Sequence, residues 1–237
     1  VHISNCSFSS VCAAIRIGLK SIGSISDVHI SHCSMKNVWR EGIKIECSEG
    51  GNISDINIQD ITMNDVSRPI FILLNNRFEP DDLGSSLELD HIPEIGTMSD
   101  IIISDIIASD SDEMRNTHYR FDDDVMGSPK FAGIRIDAEK NHPIRNLTLR
   151  NMSYKFIGGV KLSDIPNEYP EVIDKLIDCD TLSSENYYPD WSRASFMDIR
   201  NIIGLNVRNI QCFAIYPDER RGIITENVQF SDNSDNL

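Results

Sequence analysis

Along this chain apolar residues return at every second position in short runs, and polar residues fill the places between. Six runs share one template: VHISNCSF from Val1, VHISHCSM from Val28, INIQDITM from Ile56, IIISDIIA from Ile101, LTLRNMSY from Leu147 and LNVRNIQC from Leu205. Each is apolar at its first, third and sixth positions, the alternation of a strand with one buried face. The fifth position is Asn5, His32, Asp60, Asp105, Asn151 and Asn209. Asn and Asp tolerate left-handed backbone angles and bond their own main chain, so the strand is predicted to turn a corner there.

The runs start at residues 1, 28, 56, 101, 147 and 205, at intervals of 27, 28, 45, 46 and 58. A second short strand follows in several intervals: AIRIG from Ala14, GIKIE from Gly42, PIFIL from Pro69 and GIRID from Gly133. Helical repeats of this period would space their apolar residues by three and four, and leucine-rich repeats would show a Leu/Asn consensus. Neither pattern is present. The expectation is therefore all-β: a single-stranded right-handed parallel β-helix, a solenoid of about six rungs over residues 1–230 with a polar tail at 231–237. Ile15, Ile43 and Ile70 form one inward column, and Ile17, Ile45 and Ile72 another. The longer intervals hold loop insertions at roughly 77 to 96, 109 to 131 and 158 to 193. Within the last, Val172, Ile173, Leu176 and Ile177 stand at the spacing of a short amphipathic helix.

Composition narrows the partners. The 237 residues carry a formal net charge of -15, which argues against binding a nucleic-acid backbone. No apolar run approaches the roughly 18 residues of a membrane span. The six cysteines show no CxxC pair and no zinc-type histidine spacing, so neither a metal nor a cofactor is expected. Cys6 and Cys33, in the matching contexts SNCSF and SHCSM, fit two core positions of a repeat better than a disulfide framework. The chain opens at Val1 inside a strand pattern. The expectation is that N-terminal rungs and a cap are missing, that the uncapped first rung invites end-to-end self-association, and that the compartment stays undetermined.

The rung pattern with its SNC turn, the passage GIKIECSEGGNISDI, and the later segments HPIRNLTLRN and SENYYPDWSR resemble bacterial members of glycoside hydrolase family 28. These are the polygalacturonases and rhamnogalacturonases of the pectin-lyase-like β-helices. The resemblance implies inverting hydrolysis of pectic or related plant polysaccharides, with two carboxylates spaced by roughly 6.5 to 9.5 Å around the attacked bond. The family's RIK motif falls on Lys44, Ile45 and Glu46, so Lys44 matches its Arg while Glu46 replaces its Lys. Its GHG motif falls on Cys12, Ala13 and Ala14, with Ala13 in place of the histidine. Its NTD and DD motifs would lie upstream of Val1. No catalytic residue is therefore assigned within this chain, which by itself is expected to be inactive.

Substrate contacts remain. The outward positions of successive second strands are Arg16, Lys44, Phe71 and Arg135, beside Gly18, Glu46, Leu73 and Asp137. Like charges facing each other on neighbouring strands destabilise, so Arg16 beside Lys44 calls for a countercharge or an anionic ligand. Glu46 as that countercharge on a wet, functionless strand face is the competing account. As a site, Arg16 and Lys44 would bind carboxylate or hydroxyl groups of a sugar chain with Phe71 as an apolar platform, Glu46 and Arg135 would be further substrate-binding residues, and Glu46 would disfavour a galacturonate carboxylate. Tyr187 and Tyr188, near Trp191 and Arg193, are candidate stacking residues. Asp122, Asp123 and Asp124 are the densest carboxylate run and suit a solvated loop better than a catalytic pair. Two function classes stay open: the C-terminal part of a glycosidase, or a non-catalytic glycan-binding or structural module.

Overall fold

In the repeated runs, main-chain geometry changes hand at one fixed place. Asn5, His32, Asp60, Asp105, Asn151 and Asn209 all have φ between 49° and 57°. A second row, Asp27, Asp55, Asp100 and Asn146, sits at φ 54° to 56° immediately before the repeated runs that start at Val28, Ile56, Ile101 and Leu147. Each left-handed residue bends the chain without ending its hydrogen bonding, and long strands therefore run through corners instead of stopping at them.

The computed structural model describes residues 1–18, 22–76, 91–111, 118–121, 124–127, 133–164 and 194–232. Its strands are β1 (His2–Ser4), β2 (Ser7–Ser10), β3 (Ile15–Gly18), β4 (Ser24–Ile25), β5 (Val28–Cys47), β6 (Asn52–Ile53) and β7 (Ile56–Leu74). They continue as β8 (Thr97–Ser109), β9 (His118–Phe121), β10 (Asp124–Gly127), β11 (Ile134–Ala138), β12 (Ile144–Gly158), β13 (Ala194–Tyr216) and β14 (Arg221–Phe230). Apart from the antiparallel pair of β9 with β10, the pairings are parallel.

The hydrogen-bonded path closes on itself. The first half of β7 pairs with β8, Ile56 opposite Ile101, while its second half pairs with β11, Phe71 opposite Arg135. Strand β13 does the same, with Met197 opposite Ile134 of β11 and Val207 opposite Leu149 of β12. Strand β12 then meets β8, which returns to β7. Five strands, β7, β11, β13, β12 and β8, thus form a closed parallel barrel, with β1 to β6 and β14 as outer strands.

This corrects the expected right-handed parallel β-helix solenoid. The protein is all-β, but it is a barrel-like closed sheet with outer strands and not an open stack of rungs. The reason lies in the bent strands. A strand that turns a corner midway offers different edges to different neighbours on either side of the bend, and two such strands suffice to join the ends of the ladder.

Inside, apolar side chains stack in register. Ile30, Ile58, Ile103, Leu149 and Val207 are successive partners across five strands, and all are buried. Ile17, Ile45, Ile72, Ile136 and Ile199 make a second column. Burying each of these side chains stabilises the fold by roughly 1.5 to 3 kcal/mol before entropy is counted. The alternate residues of β3, β5, β7, β11 and β13 necessarily face the other way, and those carry the charges.

Candidate functional site

Across the outer face, one row runs Arg16, Lys44, Phe71, Arg135 and Asp198, each the register partner of the next. Two residues further along the strands a second row runs Gly18, Glu46, Leu73 and Asp137. Glu41 and Arg68 are partners on the near side of the first row. Beyond the second row the strands of Cys47 and Leu74 continue into Ser48 and Asn75, whose backbone N–H donates to the Cys47 carbonyl at 3.1 Å. Gly18 is required where it stands. Its φ is 97°, and a Cβ there would lie 1.8 Å from the Glu46 carbonyl oxygen.

The charges are paired. Arg16 donates from Nε and Nη2 to the same Glu46 oxygen, Oε2, at 3.1 and 2.8 Å. Lys44 Nζ lies 3.2 Å from the other Glu46 oxygen and 4.0 Å from Glu41 Oε2. Arg68 Nη1 approaches Glu41 Oε1 at 3.9 Å. Both cations also sit over Phe71, with Lys44 Nζ at 5.2 Å and Arg68 Cζ at 5.3 Å from the ring centroid. Further along, Arg135 donates to Asp137 Oδ2 at 3.3 Å, and Arg200 Nε lies 3.7 Å from Asp198.

This face is not wet. Lys44 and Glu46 are each 1% exposed and Phe71 is 4% exposed, so the account of a solvated strand face is overturned. Among the described charged residues of these two rows, Arg16 opens outward, with 27% of its side chain exposed. Glu46 nevertheless does neutralise Arg16 and Lys44, as a countercharge on that strand must.

Burial separates two carboxyl groups. It would push Glu41 up, but Lys44, Arg40, Arg68 and Arg16 together outweigh it and hold the group below the usual carboxylate range. At Asp137 burial wins: Arg135 and Arg200 offset it only in part, Asp198 adds to it, and the carboxyl is raised. One end of the face therefore lowers its carboxyl and the other raises it.

Several polar atoms on this face have no hydrogen-bond partner although they are buried. They are both oxygens of Glu41, the hydroxyls of Ser48 and Ser67, and both Oδ1 and Nδ2 of Asn75. The Glu41 oxygens are answered by the ion pairs with Lys44 and Arg68, whereas a buried hydroxyl or amide without a partner costs about 1 to 3 kcal/mol, so Ser48, Ser67 and Asn75 call for a chemical explanation.

Of the site residues expected from sequence, Arg16, Lys44, Glu46, Phe71 and Arg135 are brought together here. Tyr187, Tyr188, Trp191, Arg193 and the expected helix over residues 172–177 lie outside the described residues, as do Asp122 and Asp123. Asp124 opens β10, whose backbone pairs with β9. Residues 233–237 of the expected tail also fall outside.

Sequence reasoning missed Glu41, Arg68, Asn75, Asp198 and Arg200. The last two were detectable, because Met197, Asp198, Ile199 and Arg200 repeat the apolar and charged alternation of GIKIE and GIRID. Glu41 and Arg68 carry a weaker signal, each standing just before the Gly42 or Pro69 that opens a second strand.

Among the described residues no group of His, Cys, Asp and Glu is placed to hold a metal ion, and no helix is long and apolar enough to cross a membrane. No protein-family model, curated protein or solved structure matches the chain. Nothing in these comparisons identifies a glycoside hydrolase family, and the barrel-like sheet supplies no evidence of a hydrolase, a pectin-degrading enzyme or solenoid repeats.

Proposed function

We propose that this protein is a saccharide-binding module that holds its ligand against the charged face of β3, β5, β7 and β11, with Arg16 at the entrance. The observation that carries this reading is the set of buried polar atoms without hydrogen-bond partners: the Asn75 amide and the Ser48 and Ser67 hydroxyls. Sugar hydroxyls donate and accept at once, so one ligand class answers acceptors, donors and an amide together. Phe71 supplies an apolar neighbour, while Lys44 and Arg68 fix the charge around it. Glu41 and Glu46 stand where a uronate carboxylate would meet repulsion, which favours neutral or mixed oligosaccharides over polygalacturonate.

The test is titration calorimetry with neutral and uronate oligosaccharides, on the wild type and on Asn75→Ala. Because Asn75 is buried with neither side-chain atom bonded, its truncation is expected to weaken binding about tenfold while leaving the unfolding midpoint unchanged or raised. An Asn75→Ala protein that is less stable but binds as before would assign the amide to the fold. No binding of any saccharide at millimolar concentration by the wild type would overturn the proposal. Release of reducing ends in the same mixtures would make the face part of an active site instead of a binding surface.

A further inference from the structure

We propose that Cys6 and Cys33 are a redox-modification site: a dithiol that a low-molecular-weight disulfide converts to an intramolecular disulfide, clamping β1 and β2 to β5. This does not depend on the saccharide reading.

The two residues occupy the same place on neighbouring parallel strands. Ser4 pairs with Ser31 and Ser7 with Ser34 on either side of them, and Ser34 N donates to the Cys6 carbonyl at 2.9 Å. Neighbouring strands lie about 4.8 Å apart, within the roughly 4.4 to 6.8 Å between Cα atoms that a disulfide spans. Side chains at the adjoining positions already meet across this gap: the His2 and His29 rings stack at 4.8 Å with 6° between planes, and Ser7 Oγ lies 2.8 Å from Ser34 Oγ.

The thiols are held alike. Cys6 Sγ donates to the Ser4 carbonyl at 3.3 Å and Cys33 Sγ to the Ser31 carbonyl at 3.2 Å. The two residues border one open polar groove of about 370 Å3, with Asn5, Ser7, His32, Ser34, Asp60 and Thr62, while Cys33 belongs to the apolar core and Cys6 packs against it. Closing the bond asks the Cβ atoms to move from strand spacing toward about 3.8 Å. The moving side is the short edge formed by β1 and β2, of three and four residues, each paired only with β5 among the described residues.

Access orders the steps. Cys6 is partly exposed and Cys33 is buried. The Cys6 thiolate attacks one sulfur of the small disulfide, forming a mixed disulfide and expelling the first small thiol. The Cys33 thiolate then attacks the Cys6 sulfur, forming the Cys6 to Cys33 bond and expelling the second. The protein dithiol loses two electrons and two protons, and the small disulfide gains them.

The experiment treats the whole chain with oxidised glutathione, then maps peptides without reduction. The expected product joins Cys6 to Cys33 within one molecule, is two hydrogens lighter than the separate peptides, and disappears with dithiothreitol. In Cys33→Ser, glutathione should remain on Cys6. Amide hydrogen exchange over residues 2–10 should slow in the oxidised wild type and not in Cys33→Ser. Glutathione persisting on wild-type Cys6 beside a free Cys33, cross-links to other cysteines or other chains, or no reaction at either thiol would each overturn the proposal.

Discussion

Two sets of polar side chains cross neighbouring parallel strands of one sheet and are treated in opposite ways. At the corners Asn146 donates to Asp100 at 2.8 Å, Asn151 to Asp105 at 2.9 Å, and Asn209 to Asn151 at 3.0 Å, all in exposed positions. On the outer face of the second strands the charges are buried and ion-paired, and polar atoms beside them go without hydrogen bonds. A corner row, open to water, needs nothing further from a neighbour. The buried face gains stability only through its pairs and leaves some groups unanswered, which is why the site is placed there and not at the corners.

The sharpest way to break this contrast is to remove one member of the buried network. Glu46→Ala leaves Arg16 and Lys44 without their shared countercharge, and the expected loss is about 3 to 5 kcal/mol in urea unfolding. A loss below about 1 kcal/mol would mean that the pair behaves like a surface salt bridge and that the face is effectively solvated.

A second difference appears in how the carboxyl groups respond to pH. Hydrogen bonds from Ser99 and Asn146 lower Asp100, and a bond from Asn151 lowers Asp105. Their contribution to stability is present above the ordinary value of 3.8 and fades as pH falls through their lowered folded values. Asp137 is raised, so its contribution has the other sign. It is complete below 3.8 and lost as pH rises through the raised value. Asp137→Asn should therefore remove a decline in stability above pH 3.8, whereas Asn146→Ala should shift Asp100 back toward its ordinary value. Unfolding curves across pH and carboxyl NMR titrations check the two expectations, and an unchanged wild-type-like slope in Asp137→Asn would sink the first.

The smallest effect belongs to the corner backbone. Asn151 has φ 52°, so Asn151→Ala is expected to cost about 1 to 2 kcal/mol through the left-handed conformation, while Asn151→Gly should cost less. If the two variants lose the same amount, the side-chain bonds to Asp105 and from Asn209 carry the corner, and the backbone does not.

Much of this architecture is legible in the residue order. Alternating isoleucines identify the inward columns because a strand's side chains must alternate, and Asn or Asp at the fifth position identifies the bends because few other residues accept that backbone. The same alternation placed Arg16, Lys44, Glu46, Phe71 and Arg135 on a common face. It could not give their burial, since the opposite face of a strand is wet or dry according to what covers it. Glu41 and Arg68 escaped notice because they approach Lys44 and Phe71 only after the chain has bent around the residues before Gly42 and Pro69.

By itself, then, the sequence determined an all-β chain, which side chains point inward, and where the strands bend; these are local consequences of alternation and of left-handed backbone at Asn and Asp. Tertiary structure alone decided that the ladder closes into a barrel and that Glu41 is lowered while Asp137 is raised. Closure, burial and electrostatic sign depend on which neighbour lies across each edge and what excludes water from each face. A period in the chain does not specify either.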